Sequence, residues 1–114
     1  MAEDKVEECS FCIQSLVSLE KFVTSANHWL GRDSSVAVTL VRTAGTTTRL
    51  LGTVGCISKT TTENIEKKVD GCVEAIVEND ANKARQLLSD IDSMIVEILT
   101  KETAQKCVID DRGT

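Results

Sequence analysis

Cys9 and Cys12, three residues apart in "CSFC", are the most reactive side chains that the chain places close together. A thiol near the start of a helix lies in the field of free amides that lower its pKa, so a dithiol at this spacing is a candidate redox pair. The strand, loop and helix that usually present such a pair are missing, and no basic residue separates the two. Both also fall beside an apolar helical stripe, which favours packing as small hydrophobes over redox work. A zinc site would need Cys9 and Cys12 with two of Cys56, Cys72 and Cys107, and no second close pair completes a knuckle.

The remaining candidates are polar or aromatic. His28 is the only histidine, and at a helix end a cation there is favoured by the helix dipole. A carboxylate-bridged di-iron bundle therefore lacks its ligands. Arg42 and Arg49, two turns apart, suit an anionic ligand or an acidic partner surface. Trp29, next to His28, suits an interface anchor, because aromatic and Arg residues concentrate binding energy; a plug at the end of a bundle is its simpler role. Glu63, Glu66, Asp70, Glu74 and Glu78 alternate with Lys67 and Lys68, the pattern of a solvated helix face. Neither a nucleophile elbow nor a phosphate loop is present. No catalytic, cofactor-binding or metal-ligating set is assigned, and no cofactor is expected.

The 114 residues suffice for a single helical domain, with residues 108–114 expected as a frayed tail. Apolar residues make up 41% and charged residues 27%, within the range of folded domains. The net charge of −5 and an aromatic set of one Trp and two Phe argue against nucleic acid, which wants basic surfaces and stacking platforms. No run is long enough to span a membrane, and the acidic start "MAEDKVEEC" is unlike a secretory signal. A cytoplasmic protein is expected, in which cysteines stay reduced and no disulfide framework is needed.

Positioning these groups falls to four amphipathic segments. From Glu3 to Leu30, Cys9, Ile13, Leu16, Leu19, Val23, Ala26 and Leu30 recur at helical spacing. Gly31 is suited to a left-handed stop, and Asp33 or Ser34 to the next N-cap. In "LVRTAGTTTRLLGTVGC", Val36, Leu40, Ala44, Leu50, Leu51, Val54 and Ile57 fall on one arc of a helix, with Arg42 and Arg49 opposite. A β-hairpin at about 35–57 is the rival reading, which would make the fold α+β. Thr60 and Glu63 have the form of a capping box for a helix carrying Ile65, Val69, Cys72, Val73, Ile76 and Val77. After Asn79 and Asp80, a last helix carries Ala84, Leu87, Leu88, Ile91, Met94, Ile95, Ile98 and Leu99. Short connections make sequential helices antiparallel neighbours, so the expected fold is an all-α, up-and-down four-helix bundle.

Residues 65–98, "IEKKVDGCVEAIVENDANKARQLLSDIDSMIVEI", resemble one helical hairpin of the PhoU family of phosphate-signalling proteins. An amphipathic helix ends in a polar turn, and Asp80, Ala84, Leu87 and Leu88 stand where the family has a capping Asp, a buried Ala and paired aliphatics. Glu66 and Asp70 have the spacing of the family's metal-associated signature but sit on the hairpin's opening helix, so no metal role carries over. The resemblance implies a helical bundle and, as one alternative, a ligand- or metal-sensing regulatory role. The preferred expectation is a non-enzymatic, oligomeric or partner-bound bundle that works by protein–protein association, because so small an aliphatic core gains by burying further area. An inhibitor or effector of another protein is the remaining alternative.

Overall fold

In the computed structural model, α1 spans Ala2–Trp29, α2 Ser34–Thr53, α3 Lys59–Val77 and α4 Ala81–Glu97, and a π-helical turn, Ile98–Thr103, continues α4. The structure describes residues 2–103, with side chains from 9 to 101; Cys107 and the tail at 108–114 lie outside the described residues. No strand occurs among them, so the glycine- and threonine-rich stretch is a helix as far as Thr53 and the hairpin alternative is set aside.

Threonine's β preference is overcome by local bonding. The hydroxyls of Thr39, Thr43, Thr46, Thr47, Thr48 and Thr53 each donate to the carbonyl four residues back, at 2.8–3.2 Å. This back-bonding satisfies the hydroxyl inside the helix itself. Even Thr48, wholly buried, needs no other partner.

The core follows one rule in all four helices. Leu16, Leu19, Val23, Ala26 and Leu30 of the first segment are buried, and Ala37, Val41, Ala44, Thr48 and Leu51 repeat the pattern in α2. Ile65, Val69, Cys72 and Ile76 do so in α3, where Ala75 is buried as well, and Ala84, Leu88, Ile91, Ile95 and Ile98 along α4 and its final turn. Apart from Ala75, steps of three and four alternate, the seven-residue period of helices that pack knobs into holes.

Neighbouring helices run antiparallel. Gly52 lies at Thr62, Arg49 at Glu66 and Gly45 at Val69, so α2 descends as α3 ascends. Lys68 with Asp90, Gly71 with Leu87 and Cys72 with Ala84 set the same relation between α3 and α4. Glu20 meets Asp92, and Gly31 meets Arg85, which brings α4 back along α1 and closes the ring.

Two connections differ from expectation. Ser58, not Thr60, caps α3: its hydroxyl oxygen accepts from the Thr61 amide at 3.1 Å, so the helix begins at Lys59. Gly31 does not take the left-handed conformation; the turn closes when the Arg32 and Asp33 amides donate to the Trp29 carbonyl, both at 2.9 Å. Among the described residues the left-handed positions are Gly55 (φ 85°) after α2 and Asn79 (φ 62°) after α3. Asp33 and Asp80 cap α2 and α4 as expected, accepting from Ser35 at 3.0 Å and from Lys83 at 3.1 Å.

Candidate functional site

The outer face along α1 and α2 is built almost without charge. From Cys9 to Trp29 the only Asp, Glu, Lys or Arg residues are Glu20 and Lys21, and from Ser34 to Val54 they are Arg42 and Arg49. Glu20 is on the flank of α1 that meets α4, and the two arginines are on the flank of α2 that meets α3. Lys21 is exposed and, three residues after Ser18 and four before Ser25, is the charged group left on the outer side of α1. Phe11, Phe22 and Trp29, the whole aromatic content of the chain, are spaced 11 and seven residues apart. Those intervals are close to three and two turns of about 3.6 residues, so the three rings share one line along α1, with Ser15, Ser18 and Ser25 between them.

A matching line runs down α2: Val36, Leu40, Thr43, Thr47, Leu50 and Val54. Thr43 and Thr47 turn their hydroxyls onto the carbonyls of Thr39 and Thr43 at 2.8 and 3.0 Å. The hydroxyl protons are thereby satisfied within the helix. Along the two lines Phe11 is 45% exposed, Trp29 38%, Leu50 50% and Val54 51%. Large apolar groups left this open along one seam mark interaction surfaces more often than isolated ones do.

These positions correct the expected core. Leu50 and Val54 were expected on the buried arc of α2, and Ile13 on that of α1; all three are exposed, while Cys12 takes the partly buried place beside Ile13. Val77, expected on the α3 stripe, is 70% exposed at the helix end. In α2 the apolar arc is wider than two neighbours can cover, and the surplus falls on the α1 side. The signal was present in the interval of 18 residues from Phe11 to Trp29 and again from Val36 to Val54.

His28 and Trp29 stay together, their rings edge to face at 5.7 Å with an interplanar angle of 89°. Trp29 lies on the α1–α2 seam. Arg42 and Arg49 are elsewhere, in an open groove of about 410 Å³ between α2 and α3. Glu66 and Asp70 line the same groove, and Arg49 Nε is 3.4 Å from Glu66 Oε1. Two cations face two carboxylates, so the four candidate contact residues divide between the aromatic-lined seam and a charge-balanced groove.

The cysteines combine differently from the expected pair. Cys12 is bonded to Cys56, with Cα atoms 5.4 Å apart, which corrects the Cys9–Cys12 redox pair and the expectation that no disulfide is needed. The cross-link also removes two thiolates from any zinc set. Its cause is tertiary: the antiparallel register brings the first turns of α1 to the turn that follows α2. Cys72 is fully buried, its Sγ donates to the Ala84 carbonyl at 3.7 Å, and burial pushes its pKa up to about 11. A thiol so far above neutrality is protonated and unreactive. Glu20 has a raised pKa, first from burial and then from the charge and hydrogen bonding of Asp92. Among the described residues, no group of three or more His, Cys, Asp or Glu side chains is placed to hold a metal ion, and no helix is long and apolar enough to cross a membrane. Compared with family models, curated proteins and solved structures, the chain matches none of them.

Proposed function

We propose that this chain acts by protein–protein association through the α1–α2 seam. The observation that carries the reading is the placing of the three aromatic residues along one line of α1, beside the exposed Leu50 and Val54 of α2, on a face where Lys21 is the charged side chain left. Trp and Phe enrich the cores of interfaces, where charged groups are depleted. The chemistry of the buried Cys72 and the cross-linked Cys12 points away from thiol catalysis. The cross-link also bears on where the protein works. Disulfides persist in oxidising surroundings and are rare in the cytosol, so an oxidising compartment is preferred to the cytoplasmic expectation.

A photo-reactive residue at position 50 tests the reading against the same residue at position 74 on α3. Specific protein cross-links from 50 and none from 74 are expected, in the purified protein or in extract of the native source. Equal products from both positions, or none from either, overturn it. The second reading is a sensing role of PhoU-like type in the Arg42–Arg49 groove, favoured by the two guanidinium groups there; it ranks below because Glu66 already engages Arg49. A rise in melting temperature with added phosphate or divalent metal would promote it.

A further inference from the structure

We infer that Cys9, Cys12 and Cys56 form a thiol–disulfide exchange site at the cross-linked end of the bundle, in which the Cys9 thiolate displaces Cys12 from Cys56. The inference concerns the sulfur atoms at that end and is independent of the association reading above.

Placement makes the first argument. Leu16, Leu19 and Val23 of the buried α1 seam are preceded, at the same alternating steps of three and four, by Cys12 and Cys9. Exposure agrees with that continuation. Both cysteines are half-buried, whereas Ser10, Phe11, Ile13 and Gln14 around them are exposed. Cys56 is buried at the same end and bonded to Cys12. The last layers of the seam therefore hold a disulfide and, three residues or about 4.5 Å of helix rise beyond it, the Cys9 thiol.

The exchange balances without an outside oxidant or reductant. Cys9 gives its proton to solvent, and the thiolate attacks Cys56 Sγ. The Cys9–Cys56 bond forms as the Cys12–Cys56 bond breaks, and Cys12 leaves with the electron pair and takes up a proton. One disulfide and one thiol precede the step, and one of each follows it.

Geometry selects Cys56 as the sulfur attacked. Positions three apart on a helix have Cβ atoms about 5–6 Å apart, whereas a disulfide needs about 3.5–4.5 Å. A Cys9–Cys12 bond would therefore distort α1. Cys56 instead lies in the turn between α2 and α3, directly after Gly55 at φ 85°, where the backbone can follow the sulfur without unwinding a helix. The Cys56 amide donates to the Leu51 carbonyl at 2.9 Å, which seats the resting cross-link on Cys12.

Chain entropy hardly separates the two forms. The present cross-link spans 44 residues, and the alternative adds only the three from Cys9 to Cys12, a difference to which loop closure is nearly indifferent. The bundle stays cross-linked in either form. What changes is which thiol, Cys9 or Cys12, stands beside the exposed Phe11 and Ile13.

Disulfide mapping by mass spectrometry on the full oxidised chain tests the inference. The chain is held without added thiol at about pH 6.5, 7.5 and 8.5, quenched in acid and alkylated. A Cys9–Cys56 peptide is expected together with alkylated Cys12, forming about ten-fold faster at pH 7.5 than at 6.5, as a thiolate nucleophile requires, and at a rate independent of protein concentration. Cys9→Ser should abolish alkylation of Cys12, Cys72→Ala should leave it, and oxidised Cys12→Ser should carry the Cys9–Cys56 bond. A Cys12–Cys56 peptide alone at every pH, a Cys9–Cys12 peptide, alkylation of Cys12 that persists in Cys9→Ser, or a rate that rises with protein concentration overturns the inference.

Discussion

The α1–α2 seam and the α3–α4 seam rest on the same seven-residue core pattern and finish their outer surfaces in opposite ways. Across α3 and α4, Lys68 Nζ is 3.4 Å from Asp90, and Gln86 donates to the same carboxylate at 3.1 Å. That side is bridged by polar groups, with Val77 and Val96 its exposed large apolar side chains. Across α1 and α2 the flanking positions hold Phe, Trp, Leu, Val, Ser and Thr, and a covalent bond from Cys12 to Cys56 closes one end. The lesson is that burial in the core does not account for all the apolar residues in α1 and α2. A helix with two neighbours needs a limited apolar stripe, and width beyond that stripe is surface intended for something else.

The disulfide gives the largest test of this contrast, because it belongs to one seam only. Replacing Cys12 and Cys56 together by Ser releases a loop of 44 residues, and chain entropy predicts a loss of about 4 kcal/mol. Denaturant melts with and without reductant should reproduce that loss in the native chain and show no reductant effect in the double variant.

Adjacent leucines sharpen the comparison next. Leu51 is wholly buried and Leu50 half exposed, so Leu51→Ala should cost about 3 kcal/mol, and Leu50→Ala less than about 0.5 kcal/mol in dilute, monomeric protein. Equal losses in chemical denaturation would mean that the seam is core after all.

On the other flank of α2, close approach replaces surplus bulk. A Cβ added at Gly52 would lie 2.8 Å from Thr62 Cγ2 and 3.1 Å from its Cβ. Thr62 cannot swing away freely, since its hydroxyl donates to the Ser58 carbonyl at 2.8 Å. Gly52→Ala should therefore destabilise by about 1 kcal/mol net, the overpacking exceeding the helix propensity gained. A melting temperature that rises instead would show the α2–α3 contact to be looser than drawn.

The smallest effect lies where α1 meets α4. Burial and Asp92 raise the pKa of Glu20, so the folded state holds a proton that the unfolded state has lost in the window just above the ordinary carboxylate value. Its stabilising effect is complete below that value and is lost as pH rises through the folded one. Glu20→Gln should stabilise the protein at neutral pH by a few tenths of a kcal/mol, about that of one like-charge pair, and should flatten the fall in stability through that window. A pH series of denaturant melts reads both.

Much of the fold was legible because its causes are local. Helical periodicity marked all four segments, Asp33 and Asp80 announced two caps, and the short turns implied antiparallel neighbours. Thr60 misled because a hydroxyl two residues earlier, on Ser58, was equally able to cap. The candidate surface was legible only in part. Trp29 stood out by type, whereas Leu50 and Val54 looked like core, Phe11 was not singled out, and Arg42 and Arg49 were seen without the carboxylates that face them.

Residue order alone determined the helical periodicity of the four segments, the caps at Asp33 and Asp80, and that the charges crowd into the second half. Tertiary structure decided which part of each apolar arc is covered, that Cys12 reaches Cys56, and that Gly52 gives room to Thr62. The division has a physical cause. Backbone periodicity and capping act within a few residues, whereas burial and bonding depend on which neighbour occupies the other side of the helix, and that is known only once all four have packed.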